Sequence, residues 1–478
     1  MAPDPATGGP VGRPGRRTTI AATSHGAGPE GGHMTSTKVS ASNRRPGDAD
    51  RPATGERPTD ALAAVQLVQI SVYWFALNAI WGGFEVFQQK RVVQLVGDEA
   101  PLALGAMEIL AMPIAVLTMP VMGSISDYTR SRWGRRRPFI LFGSLTASVA
   151  LVGLGLAPSF PVLVAFFVLL QLTSNVARGP FAGLVPDLVP ERQVGIASGL
   201  MGLMITLGLV GGYLLMSTGF LLEEDFTLPM IALGVLVGAA GVGTFLWIPA
   251  GPPPKPREGR TWPAVALETF GTDILRERSY VFLLGSRFFI LMATGFFMNL
   301  NILYLQNTHG ITGQEQGKWI LVALAIAVVA TALGTIPGAR LSDRLGRKPV
   351  IYASTAIGAV GMTIIGLAPG VEVVMGGVAL VGFASGAFLS VDWALMTEII
   401  PKASAGRYMG MSNIVEATNG PVATSVGGVL MYVVGLGFGI AVGSRVAMLA
   451  GVAMFAIGAA LLRPVQEPRR PPRRQPAG

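Results

Sequence analysis

Cysteine is absent from this chain of 478 residues, which excludes disulfides, thiol catalysis and cysteine-ligated metals. Histidine is nearly absent. His25 and His33 fall in the N-terminal tail and His309 in a loop, so no histidine cluster is expected to hold a metal. Charge is scarce as well: Asp, Glu, Lys and Arg make up 13% of the residues, about half the share of an ordinary soluble domain. No G-x-x-x-x-G-K-S/T loop occurs and no nucleophile–base pairing stands out, so neither a nucleotide-driven machine nor an enzyme is expected, and no cofactor. What is present is apolar: 51% of the chain is hydrophobic, with 63 glycines and a mean hydropathy of +0.54. That balance excludes a soluble globular protein and a disordered one, and reads as a polytopic membrane protein with the lipid bilayer as its surroundings.

The formal charge of +9 is concentrated outside the apolar runs. Residues 1–60 hold eight Lys/Arg and six Asp/Glu among Gly, Pro, Ser and Thr, and are expected to be a disordered tail. Arg16-Arg17 is not followed by a hydrophobic region, so no signal peptide is expected there. The far tail, 464–478, is basic through Arg469, Arg470, Arg473 and Arg474, a composition suited to anionic lipid. Nucleic acid is not an expected partner, because no aromatic residues interleave with the basic ones.

A bilayer crossing takes about 20 apolar residues. Twelve stretches meet that length, at roughly 62–88, 102–122, 138–157, 161–184, 194–217, 228–249, 280–305, 319–337, 349–369, 373–396, 406–434 and 444–462. They divide into a six-helix unit, 61–249, and a second, 280–463. The connection 250–279 opens with Pro252-Pro253-Pro254 and continues with Trp262, Ala266, Phe270 and Ile274 at helical spacing, which reads as an amphipathic helix lying on the membrane surface. Seventeen Lys/Arg fall in the loops of one side and four in those of the other. The basic side is therefore expected to be cytoplasmic, with both termini, in a cell membrane.

The halves repeat. Gly134-Arg135-Arg136-Arg137-Pro138 before the third span matches Gly346-Arg347-Lys348-Pro349 before the ninth, with the prolines 211 apart. Asp187, Pro190, Gly195 and Gly199 match Glu398, Pro401, Gly406 and Gly410, again 211 apart. A duplicated six-helix unit follows, a known plan of transporters with a site between the halves. The fold class read from the sequence is all-α, twelve transmembrane helices in two six-helix bundles.

Gly123-Ser124-Ile125-Ser126-Asp127 and Asp343-Arg344-Leu345-Gly346-Arg347-Lys348 together resemble the G-x-x-x-D-R-x-G-R-R/K signature of the major facilitator superfamily. The first copy is longer, running Asp127-Tyr128-Thr129-Arg130-Ser131-Arg132-Trp133-Gly134 before its arginines, and is similar to that of the glycoside–pentoside–hexuronide cation symporters and sucrose transporters. Asn175-Val176-Ala177-Arg178-Gly179-Pro180 resembles the fourth helix of the sucrose transporters, which carry Asp where this chain has Gln171 and Arg where it has Ala182. The resemblance covers about 62–462 and implies the facilitator fold, alternating access, and a small solute moved with a proton or other cation. It also implies that Asp127, Arg135, Arg136, Asp343, Arg344 and Arg347, joined by Asp187 and Glu398, gate the cytoplasmic side. A sugar or glycoside by proton symport is the favoured cargo. Proton-antiport export of a drug or metabolite, and a non-transporting assembly or sensor protein, stay as alternatives. A monomer is expected.

Polar groups inside the spans point to the same cavity without a family. They gather in spans one, two, four, seven, ten and eleven, and ionisable groups in a bilayer need a cavity or a partner. The amides of Asn78, Gln171, Asn175, Asn299 and Asn301 donate and accept, which suits a hydroxyl-rich solute. Arg178 and Arg287 offer planar sets of donors, with Arg287 also near enough the end to snorkel. Trp74, Trp81 and Trp393 are either ring-stacking or packing residues. Glu416, Asp392 and Glu108 are read as ion-coupling carboxylates or, alternatively, as buried ion-pair partners, since a desolvated carboxyl can hold a proton. Glu85 is expected to be solvated near the outer end of its span. The glycines of span five, Gly195, Gly199, Gly202, Gly208, Gly211 and Gly212, read as close packing or as a sliding surface.

Overall fold

The computed structural model describes residues 60–256, 259, 261–263, 277–399 and 405–466. The N-terminal tail, most of the amphipathic segment and most of the basic C-terminal tail lie outside the described residues. Among the described residues, eleven continuous helical stretches are long and apolar enough to cross a membrane. The first, Ala64–Tyr128, is two helices separated by one turn at Gly97–Glu99, which gives twelve long helices. They are α1 Ala64–Val96, α2 Ala100–Tyr128, α3 Arg137–Gly155, α4 Phe160–Ala182, α5 Val194–Leu221, α6 Thr227–Trp247, α7 Arg278–His309, α8 Gly313–Leu345, α9 Arg347–Leu367, α10 Val371–Ile399, α11 Ala405–Phe438 and α12 Ile440–Leu462.

Several outrun their predicted spans. α1 continues eight residues past residue 88, and α8 starts six before residue 319. Polar residues at membrane ends lower the apolar signal but keep helical propensity, so hydropathy alone clips such helices. Gly310, at φ +67°, ends α7 by donating its N–H to the Gln306 carbonyl (3.0 Å), a left-handed cap that suits glycine. Pro101, Pro138 and Pro161 sit in first turns, where a missing N–H costs nothing.

The duplication is visible in the packing. In the first half α1 packs on α5, α2 on α4, and α3 on both α4 and α6. In the second, α7 packs on α11, α8 on α10, and α9 on both α10 and α12, the same pairs six helices later. Close crossings use small residues. A Cβ on Gly179 of α4 would meet the Met119 carbonyl of α2, and one on Gly386 of α10 would meet the Thr331 carbonyl of α8. The halves meet chiefly along α2–α11 and α5–α8.

Candidate functional site

The two ends of the seam between the halves differ. One end carries the loops rich in Arg, here the basic face, and the other carries the turns at 97–99, 222–226 and 310–312. At this second face the halves are stitched together. Gln89 Oε1 of α1 accepts the Ile302 N–H of α7 (3.0 Å), and the Ile302 carbonyl accepts from Gln316 of α8 (2.9 Å). Ser425 Oγ of α11 lies 2.7 Å from the Gly105 carbonyl of α2. Glu224 accepts from Lys90 (2.7 Å) and from the Gly313 N–H at the start of α8 (3.0 Å), and both Glu223 and Glu224 have positive φ, 55° and 63°. Phe220 of α5 packs on Gly317 of α8.

Toward the basic face the seam opens. Gly195, Gly199 and Gly202 of α5 and Gly410 of α11 have nothing within 4 Å of where a Cβ would stand. With Thr206 the three α5 residues continue the helix line that carries Phe220, at spacings of three, four and seven. A space of about 260 Å³ bounded by Asp127, Gly123, Gly183, Gly410 and Asn413 leads inward. It shares Met119, Pro120 and Asn413 with a central cavity of about 330 Å³.

That central cavity is built from four regular helix faces. α1 presents Asn78, Trp81, Phe84 and Glu85; α2 presents Glu108, Ala115, Met119 and Pro120; α4 presents Gln171, Asn175 and Arg178; α11 presents Asn413, Glu416, Ala417, Gly420 and Pro421. The recurrence at three, four and seven residues is why each set shares one side of its helix. Pro120 and Pro421 lack an N–H, which frees the carbonyls of Val116 and Ala417, both cavity residues. From α7 only Asn299 reaches the cavity, with its amide donated to the Gly420 carbonyl and the Thr424 hydroxyl (both 3.1 Å). A smaller space of about 240 Å³, inside the second half, shares Asn299 and Gly420 with it.

Of the polar residues expected here, Asn78, Gln171, Asn175, Arg178, Asn299, Glu108 and Glu416 line the cavity. Arg178 makes no hydrogen bond or ion pair among the described residues, and its Nε is buried without a partner. The Asn175 amide turns back to the Gln171 carbonyl of its own helix (2.8 Å). Three expectations are corrected. Asn301 turns away, with its amide donated to the Met298 carbonyl (3.0 Å). Trp393 is 44% exposed outside the cavity, over the Arg287 guanidinium. Trp74 takes the packing alternative left open for it, buried against Phe181. Arg287 does not snorkel: it is 1% exposed, bonded directly to Asp392, also 1% exposed, and its other arm lies 3.5 Å from Glu416. Arg287 and Asp392 are therefore paired with each other below the cavity wall, whereas Glu416, 58% exposed, faces the opening. A fourth correction concerns Glu85. It lines the closed end of the cavity, its Oε2 buried without a partner, instead of standing in solvent.

The basic-face residues form two copies of one arrangement. Asp187 accepts from Arg135 (2.6 Å) and Arg136 (2.7 Å), and Arg136 also reaches Asp127 (2.8 Å) and Ser126 (3.3 Å). Lys255 adds a contact to Asp127 (3.1 Å). In the other half Arg347 reaches Glu398 (2.9 Å), Asp343 (2.9 Å) and Ser342 (2.6 Å). Arg344 is exposed and stands outside this network. Among the described residues these pairs brace the ends of helices within each half and do not bridge the opening. No group of three His, Asp or Glu gathers for a metal among the described residues.

Comparison with known proteins agrees with this architecture. The sequence profile of the Major Facilitator Superfamily matches residues 70–327 and 283–478. The chain is 30% identical over 116 residues to the sucrose transport protein SUC4 of Arabidopsis thaliana, a match covering 20% of this chain and 23% of that protein. It is 33% identical over 116 residues to the general alpha-glucoside permease of Schizosaccharomyces pombe, covering 21% of each. The chain thus spans under a quarter of the length of these relatives. Among solved structures, a bacterial homolog of the human lysosomal transporter Spinster, inward-facing and unoccupied, superposes with a TM-score of 0.65 over 84% of this chain and 96% of that one, at 16% identity.

Proposed function

Because this chain belongs to the Major Facilitator Superfamily, we propose that it is a secondary transporter that carries a small polyhydroxylated solute, of the sugar or glycoside class, across a cell membrane together with a proton. The observation that carries this reading is Arg178: a guanidinium facing a polar cavity with no protein acceptor among the described residues to use its donors. A solute with oxygen acceptors would complete it. The amides of Asn78, Gln171, Asn175 and Asn413 and the carboxyls of Glu85, Glu108 and Glu416 surround it with groups that accept from hydroxyls. Trp81 and Phe84 supply apolar faces for the C–H side of a sugar ring. At about 330 Å³ the cavity stands at the small end of ligand pockets, which run from about 300 to 1,000 Å³. The names of the relatives, for sucrose and alpha-glucoside transport, support the same class.

The excess of Lys and Arg on the basic face supports a cytoplasmic assignment for it. On that assignment the structure is the inward-facing state. The cycle closes the basic face and unstitches the other, while the solute stays between α1, α2, α4 and α11. The test is uptake of labelled sucrose, maltose and simple glycosides into proteoliposomes under an inward proton gradient. Arg178→Ala is expected to reduce uptake at low solute concentration ten- to a hundredfold, since a hydrogen bond to a charged group contributes about 1.5–3 kcal/mol. Arg178→Lys should recover only part, because lysine lacks the planar fork. Uptake of none of these solutes by folded wild-type protein would reject the sugar reading.

A further inference from the structure

The charges around the cavity do not balance evenly. On the α4, α7, α10 and α11 side, two cations, Arg178 and Arg287, stand with two carboxylates, Asp392 and Glu416, and Glu416 acts electrostatically on Arg178. On the α1–α2 side, Glu85 and Glu108 both line the closed end, near enough to interact, and neither has an ion pair among the described residues. The nearest cation on α1, Lys90, is taken by Glu224 (2.7 Å). Facing the pair from the other packed elements are the Tyr213 phenol of α5, Arg178 across the cavity on α4 and Glu416 on α11; α7 contributes only the neutral Asn299 to this lining.

Gln88 stands one turn from Glu85 on the same face of α1, near enough to both carboxyls to act on each. Its side chain is 1% exposed, and its Oε1 has no donor. Two carboxylates and an amide oxygen are all acceptors, and within this trio the single donor is the Gln88 amide nitrogen. Two unpaired negative charges in an apolar wall are costly, and an orphaned buried acceptor adds to that cost. One proton removes both defects: it cancels one charge and supplies an O–H for Gln88 Oε1 or for the other carboxylate.

We propose that Glu85 and Glu108, with Gln88 beside them, form a proton-binding site that holds one proton and that its occupancy governs the stitched face. The coupling to that face is built in. The Glu85 carbonyl accepts from Gln89 Nε2 (3.0 Å), and Gln89 Oε1 holds the Ile302 N–H of the other half (3.0 Å). Glu108 lies one turn from Gly105, whose carbonyl meets Ser425 of the other half (2.7 Å). Each acid is thus one helical turn from a hydrogen bond that must break when this face opens. The site gives the proton of the proposed symport its place, and depends on that reading only for its part in transport.

The test is infrared spectroscopy of the purified full chain in lipid nanodiscs, without solute or gradient, recording the protonated-carboxyl C=O band at neutral pH in potassium buffer. The wild type is expected to show a band equivalent to one proton. Glu85→Gln/Glu108→Gln should lose it entirely, and Glu416→Gln should keep it. A band that survives the double substitution overturns the site, as does a band that vanishes when sodium replaces potassium, which would mark a sodium site instead. Should the double variant fail to fold, the single variants decide: loss in at least one is the expected result, and loss in neither overturns the proposal. Because no solute is present, absence of sugar transport leaves this outcome unaffected.

Discussion

Arg287→Met should destabilise the protein by about 3–5 kcal/mol, the usual cost of breaking a buried ion pair by removing one partner. Asp392 is as inaccessible as Arg287, so the substitution strands a carboxylate in an apolar interior between α7 and α10. Glu416, 3.5 Å from the same guanidinium, loses its neighbour as well but has the open cavity to solvate it. Arg287→Met/Asp392→Leu removes both buried charges and should recover most of the lost stability, because apolar residues of similar volume often replace such pairs at no loss. Thermal unfolding in detergent, followed by tryptophan fluorescence, reads both variants. A double variant as unstable as the single one would show that the arginine acts through packing, including its contact with Trp393, and not through charge.

Gly202→Trp tests motion with little effect on folding. In the present arrangement a side chain at Gly202 enters open space, so stability should stay within about 0.5 kcal/mol of the wild type. In the proposed cycle, closing the basic face brings the α5 line through Gly195, Gly199, Gly202 and Thr206 against α8, as Phe220 of the same line already does at Gly317. Overpacking there costs about 1–3 kcal/mol in the closed arrangement alone. That shifts the equilibrium between the two states roughly five- to a hundredfold toward the open basic face. Spin-label distances across the basic face should lengthen on average, and solute exchange should fall by the same factor. Gly208→Trp is the contrasting control. Its side chain would run into the Phe75 backbone of α1, so it should fail to fold. Unchanged spin-label distances in Gly202→Trp would show that α5 never meets α8 along this line.

The twelve helices were legible because membrane thickness turns apolar run length into a count, and the duplication was legible because loop motifs recur at a fixed offset. The paired basic-face networks followed from the same motifs: Arg136 with Asp187, and Arg347 with Glu398, occupy repeat-related positions. Depth was harder. Glu85 was placed at an outer end because α1 was read as ending near residue 88; the helix runs to Val96, which sets Glu85 deeper and at the cavity floor. Its spacing from Asn78 and Trp81, seven and four residues, was the signal that put all three on one face. Helix rotation was hardest. One residue turns a helix by about 100°, so Asn299 faces the cavity while Asn301, two positions on, does not. Whether Arg287 meets solute or Asp392 is decided by how α7 and α10 pack, which no local pattern encodes. The pair Pro120 and Pro421 was visible in the chain, yet only the crossing of α2 and α11 reveals that both open carbonyls into one space.

The turn at Glu223 and Glu224 gives the shut face the character of a loaded spring. Two successive non-glycine residues in the left-handed region cost about 1–2 kcal/mol each. That tension is held by the Lys90 ion pair and by the Gly313 N–H at the head of α8. In the proposed cycle, when α8 moves away at opening, part of the restraint disappears and the turn can unwind, returning its tension to that movement. A latch so loaded releases quickly, and easing it should slow the machine: Glu223→Gly, which adopts the same φ without strain, is expected to lengthen the dwell of the shut face about fivefold in single-molecule recordings, for about 1 kcal/mol of relief.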